Sequence, residues 1–187
     1  DYSQMNDVGY IRRLIEQAAA TYSIDTARIG LIGQSNGGYM SLRMACEASD
    51  YVTSVVSIAG STFEDPSSCR PASHPVSVLA VHGDLDDTVL YEGGDRFGEP
   101  YPGAQETARR FAAQSGCDPD NPLAGGEVDV VGSIPGAETT VIAYPDCADG
   151  SRVELWTMVG GPHIPFPWVD SAIDAFIDWI ITQPQSR

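Results

Sequence analysis

The amino-acid sequence predicts an α/β fold in which a mostly parallel sheet lies under flanking helices. Three observations predict it. Short apolar, β-branched runs ending at glycine alternate with longer stretches whose apolar residues recur every three or four positions. Two of these runs, YVTSVVSIAG (51–60) and PVSVLAVHG (75–83), have no polar side, as in strands covered by helices on both faces of a sheet. The chain has 187 residues, 42% of them hydrophobic, which suits one domain around one core.

The elements follow in order. From Val8 the apolar positions run Ile11, Leu14, Ile15, Ala18, Ala19 and Tyr22, which is one helical face. Asn6 or Asp7 supplies its N-cap. ARIGLIG (27–33) reads as a short buried strand, and GGYMSLRMACEAS (37–49) returns to helical spacing. The two apolar runs are the next strands. AQETARRFAAQSG (104–116) is a helix stopped by Gly116. Residues 117–138, rich in Gly, Pro and Asp, read as a long loop. TTVIAY (139–144) and RVELWTMVG (152–160) are strands, the second turning Val153, Leu155 and, less strictly, Trp156 inward. WVDSAIDAFIDWIIT (168–182) is a final amphipathic helix.

Composition narrows the function. There are 26 acidic residues against 10 basic ones, net −16, and every basic residue is Arg. Such a surface repels nucleic-acid phosphates and anionic lipid, which argues against a partner of either kind. It also raises adaptation to a salty habitat, beside the plainer reading of a solvated acidic surface. No apolar run approaches the roughly 18 residues of a membrane span, and no signal peptide is recognisable in the chain. Cys46, Cys69, Cys117 and Cys147 allow three pairings. None has metal-ligand spacing, so no zinc site is expected. The even count in an acidic, Lys-free chain leans toward an oxidising compartment.

GQSNG (33–37) matches the G-x-S-x-G nucleophile elbow and falls between a predicted strand and a predicted helix. That context is required, because the serine must sit on a sharp, strained turn to project its hydroxyl. Gly33 and Gly37 leave room for the backbone to fold that tightly, and Gly38 adds clearance. The Asn36 backbone N–H then points at a developing oxyanion, and the helix N-terminus favours its charge.

A serine hydroxyl needs a base, and the base a carboxylate. Of three histidines, His74 lies in a loop before a strand, and His82 ends a strand in AVHGDLDD, just before the acidic cluster, where a supporting role fits better than that of base. His163, in VGGPHIPFPW, lies late in the chain in a loop straight after a strand. Only His163 leaves room for an acid between itself and Ser35 in the order Ser, acid, His. Asp84, Asp86 and Asp87 all follow a buried strand, where catalytic groups gather in open α/β sheets, and pattern alone does not separate them.

DVGYIRRLI, GQSNGG, MACEASDYVTSVVSIAG, VHGDLDDTVLYEGG and VELWTMVGGPH resemble, in that order, segments of the secreted polyhydroxybutyrate depolymerase and feruloyl esterase family of α/β-hydrolases. The resemblance covers nearly the whole chain. It implies an α/β-hydrolase fold, Ser35 as nucleophile, His163 as base and, among the three acids, Asp86. It implies pairing of Cys46 with Cys69 and of Cys117 with Cys147, secretion, and no cofactor. Two departures stand out. Where the family carries a third glycine before the histidine and a Trp-Pro pair after it, this chain has Pro162 and IPFPW, which makes Phe166 and Trp168 candidate walls of the substrate pocket. The family also has several strands before the first helix found here, one followed by a His-Gly loop that donates the second oxyanion N–H.

The chain is therefore expected to be a single domain, residues 1–187, lacking the N-terminal strands and weakly active or inactive alone. The expected parent is a serine esterase acting on a polyhydroxyalkanoate or on feruloyl or acetyl esters of polysaccharide. A non-catalytic hydrolase-like module that only binds is the competing expectation. The ester and the oligomeric state are left open.

Overall fold

The computed structural model describes residues 6–69 and 73–183. The elements run α1 (Asp7–Thr21), β1 (Gly30–Gln34), α2 (Asn36–Glu47), β2 (Ser54–Ile58), β3 (Ser77–Gly83), β4 (Gly93–Arg96), β5 (Glu99–Pro102), α3 (Ala104–Gln114), β6 (Leu123–Val128), β7 (Thr139–Tyr144), β8 (Val153–Met158) and α4 (Asp170–Ile181). Among the described residues six strands form one sheet in the order β1-β2-β3-β8-β7-β6. The first four are parallel; β7 and β6 run antiparallel at the far side. This is the expected mostly parallel sheet with helices on its faces.

Burial explains the sequence pattern. β2 and β3 are buried at every position, because α2 and α3 cover one face and α4 the other. Leu42, Val55, Val78, Leu155 and Phe111 pack on one side; Val56, Leu79, Val81, Met158 and Phe176 pack on the other. In β8, between β3 and β7, five of six positions are buried. Val153 and Leu155 face one side as expected, but Trp156 faces the opposite side, against Phe176 of α4 at 6.0 Å between ring centroids.

Two expectations are corrected, and a third element is only partly covered. ARIGLIG is not a buried strand: β1 starts only at Gly30 and lies at the sheet edge, with Ile32 53% exposed. Residues 117–138 are not wholly a loop, because β6 adds an edge strand within them. The α1 face is covered only in part: Val8 is buried and Ile11 and Ile15 pack against Met44 and Val52, while Leu14 and Tyr22 are exposed. Asn6 caps this helix, its Oδ1 accepting from the Gly9 N–H at 2.8 Å.

Disulfides join Cys46 to Cys69 and Cys117 to Cys147. Among the described residues no helix is long and apolar enough to cross a membrane.

Candidate active site

The site forms where three strand ends meet. Ser35 follows β1 directly and precedes α2, with φ 54° and ψ −119°, a conformation that costs a non-glycine residue on the order of 1–3 kcal/mol. Its N–H is anchored to the Ile58 carbonyl at the end of β2 at 2.8 Å. The elbow glycines are needed unequally. A Cβ on Gly33 would stand 2.2 Å from the Gly37 carbonyl oxygen, whereas a Cβ on Gly37 would meet nothing within 4 Å. The close approach of the two backbones therefore depends on the missing side chain at Gly33, not at Gly37. The first helical hydrogen bond runs from the Tyr39 N–H to the Ser35 carbonyl, so the N–H groups of Asn36, Gly37 and Gly38 precede the helical ladder. The Ser35 side chain does not cap its own helix, which leaves the hydroxyl for another partner.

That partner is His163. The Ser35 hydroxyl lies 3.0 Å from Nε2 of His163, and Nδ1 of His163 lies 2.8 Å from Oδ2 of Asp86. An ionised carboxylate only accepts, so Nδ1 carries the proton and Nε2 is free to accept from the hydroxyl. The Asp86 side chain is fully buried and that of His163 is 12% exposed. Oδ1 of Asp86 accepts from the N–H groups of Thr88 and Val89, each at 2.8 Å. Burial by itself would raise the Asp86 carboxyl. Hydrogen bonds from His82, His163, Val89 and Thr88 outweigh it and hold the group well below the usual carboxylate range.

The other two acids do different things. Asp84 is exposed, and its Oδ1 accepts from the Gly160 N–H at 2.6 Å. Asp87 is exposed and accepts from the Thr88 hydroxyl at 3.1 Å. Asp84 thus ties the acid turn to the base turn. Two backbone bonds reinforce the tie, Asp84 N–H to Met158 carbonyl and Leu85 N–H to Gly161 carbonyl, each at 3.1 Å. Gly83 and Gly161 permit the approach, since a Cβ on Gly83 would stand 2.0 Å from the Gly161 carbonyl oxygen. His74 is half-buried in the bend before β3.

Phe166 is 71% exposed, three residues beyond His163. Trp168 instead turns toward the core: its ring packs edge-on against Phe176 at 5.6 Å, and it forms a β-bridge with Val131. Two contributors were not singled out from the sequence. Gln34 donates its side-chain N–H to the His163 carbonyl at 3.0 Å, and the variable second position of G-x-S-x-G gives no sign of that. Tyr39, one turn into α2, packs edge-on against Tyr101 at 6.1 Å; burial, with Tyr101 and Asp86 nearby, pushes its phenol well up. A separate cavity of about 470 Å³ lies between α3 and residues 62–69, and none of Ser35, Asp86 and His163 lines it.

The chain is similar to several known proteins. Residues 9–90 match the model of the BAAT / acyl-CoA thioester hydrolase C-terminal family. Feruloyl esterase D of Neurospora crassa is 30% identical over 159 residues, which cover 85% of this chain and 48% of that protein. Feruloyl esterase B of Piromyces equi is 28% identical over 171 residues, 84% of this chain and 29% of that protein. This chain thus spans about half or less of the length of these curated relatives. Among solved structures, an acetyl xylan esterase from Aspergillus awamori superposes with a TM-score of 0.65 at 14% identity, over 92% of this chain and 66% of that one.

Proposed function

We propose that this chain, which is similar to feruloyl esterases and folds like an acetyl xylan esterase, is the catalytic part of a serine carboxylic-ester hydrolase of the α/β-hydrolase type. One observation carries the reading: a single imidazole lies 3.0 Å from a serine hydroxyl on a strained elbow and 2.8 Å from a buried carboxylate. In this reading acyl transfer divides among a few named groups. His163 Nε2 takes the Ser35 proton as Oγ attacks the ester carbonyl. Asp86, at Nδ1, keeps the imidazole in the accepting tautomer and stabilises the imidazolium that forms. The Asn36 N–H, at the start of α2, donates to the oxyanion. The protonated His163 then gives its proton to the leaving alcohol, and water activated by the same nitrogen releases the acid.

The names of the relatives favour feruloyl or acetyl esters of polysaccharide over a polyhydroxyalkanoate as substrate. Phe166, three residues beyond His163 and 71% exposed, is the candidate apolar contact for such a group, while the Trp168 ring packs on Phe176. The two disulfides favour an extracellular site of action.

A fluorophosphonate probe tests the reading. Ser35 is expected to label, and Ser35→Ala to lose the label. A chain that only binds ligand would take no label in either form. Ferulate, acetyl-xylan and polyhydroxybutyrate substrates, assayed side by side, then separate the ester classes.

A further inference from the structure

Asp86 has a second imidazole neighbour. His82, the penultimate residue of β3, is 2% exposed. Its Nε2 lies 2.8 Å from the Val89 carbonyl and 3.3 Å from Oδ2 of Asp86. A carbonyl oxygen only accepts, so Nε2 carries the ring proton and presents it to both oxygens. The ring itself is held. It stands edge-on to Tyr91 at 5.7 Å, and the Tyr91 hydroxyl bonds to that of Thr157, the residue paired with His82 across the β3–β8 ladder.

Oδ1 of Asp86 is fixed by two backbone N–H groups of its own turn. Oδ2 would otherwise be held by His163 alone, the very group the carboxylate must direct. The backbone anchors Oδ1, and a donor on Oδ2 other than the base fixes the second oxygen as well. His82 stands on a central strand buried at every position and supplies a reference independent of His163.

We propose that His82 is a positioning residue for the proposed triad: its Nε2–H, shared between Val89 carbonyl and Asp86 Oδ2, sets the rotation of the carboxylate that faces His163. The assignment rests on the esterase reading for its catalytic consequence, but the geometry is testable without turnover.

The experiment uses the intact chain labelled with ¹⁵N-histidine. In the wild type, ring ¹⁵N shifts place the His82 proton on Nε2, and His163 shows a downfield Nδ1 proton shared with Asp86. His82→Phe keeps a ring against Tyr91 and removes the donor. It is expected to shift and broaden the His163 Nδ1 resonance and to slow fluorophosphonate labelling by about 10- to 100-fold, the loss typical when the partner that orients a functional imidazole is removed. KM for a p-nitrophenyl ester stays near the wild-type value while kcat falls. His82→Gln, which keeps a side-chain N–H, restores most of both the resonance and the rate. The proposal is overturned if the wild-type His82 proton is on Nδ1, or if His82→Phe leaves the His163 resonance and the labelling rate unchanged. Should His82→Phe fail to fold, the wild-type tautomer and the glutamine variant still decide. A wild-type chain that takes no label would count against the esterase reading alone, and the resonances would still report whether His82 orients Asp86.

Discussion

At Gly33 and Ser35 two single residues set the geometry of the elbow, one by lacking a side chain and one by tolerating a strained backbone. Gly33→Ala drives a methyl into the Gly37 carbonyl and is expected to cost about 1–3 kcal/mol, as overpacking does, and to abolish labelling at Ser35. Gly37→Ala enters open space and is expected to leave stability unchanged or slightly raised; urea denaturation of both variants checks the contrast. Asp86 gives a pH signature. Its carboxyl is held below the ordinary value in the folded chain, so its contribution is fully present above the unfolded value near about 4 and is lost as pH falls through the folded one. Asp86→Asn removes that contribution. The stability gap between wild type and variant should therefore be widest near neutrality and close in acid. The same variant is expected to label about 10³–10⁴-fold more slowly, because the imidazole loses the tautomer it needs. Chain order and the elbow pattern single out Ser35 and His163 as candidates and leave three acids open. Asp86 was separated from Asp84 and Asp87 by family likeness; in the structure it is the acid of the three that is buried against histidine. Gln34 was not legible, because its bond to the His163 carbonyl spans 129 positions and follows no local rule.

Elements were readable where burial imposes a pattern and unreadable where it does not. β2 and β3, covered on both faces, matched their apolar runs. β6 contains Gly125 and Gly126, the latter at φ 93°, has an irregular register and is exposed over most of its length, so nothing in its composition marks a strand. The β4–β5 hairpin carries Pro100 and Pro102, which cannot donate to a ladder, and pairs outside the main sheet. The Cys117–Cys147 bridge joins the end of α3 to the turn between β7 and β8, closing a loop of 30 residues that includes β6. Cys117→Ser with Cys147→Ser is expected to cost roughly 2–4 kcal/mol in chemical denaturation. Hydrogen exchange should rise at the α3 C-terminus, where Ala148 N–H bonds the Ser115 carbonyl, before it rises in β3.

For the whole molecule, a net charge of −16 on 187 residues means that like charges repel across the surface. Raising salt from about 0.01 to about 1 M shrinks the screening length from roughly 30 Å to roughly 3 Å. Exposed pairs such as Arg109 with Glu106 contribute little each and offset only part of the gain. Tm is expected to rise over that range, and a flat or falling curve would remove the idea of adaptation to salt. The overall architecture was legible because alternation of strand and helix is a whole-chain signal. Which edge each strand occupies was not, since pairing order is decided by contacts between distant segments. The proposed triad draws on two groups of turns that are tied together unequally. The turns bearing residues 86 and 163 are bonded to each other at three points. Ser35, between β1 and α2, meets them through its hydroxyl and the neighbouring Gln34 amide. Warming or an arriving ligand should therefore stretch first the gap between oxygen 35 and the ring, making it the adjustable joint of the site.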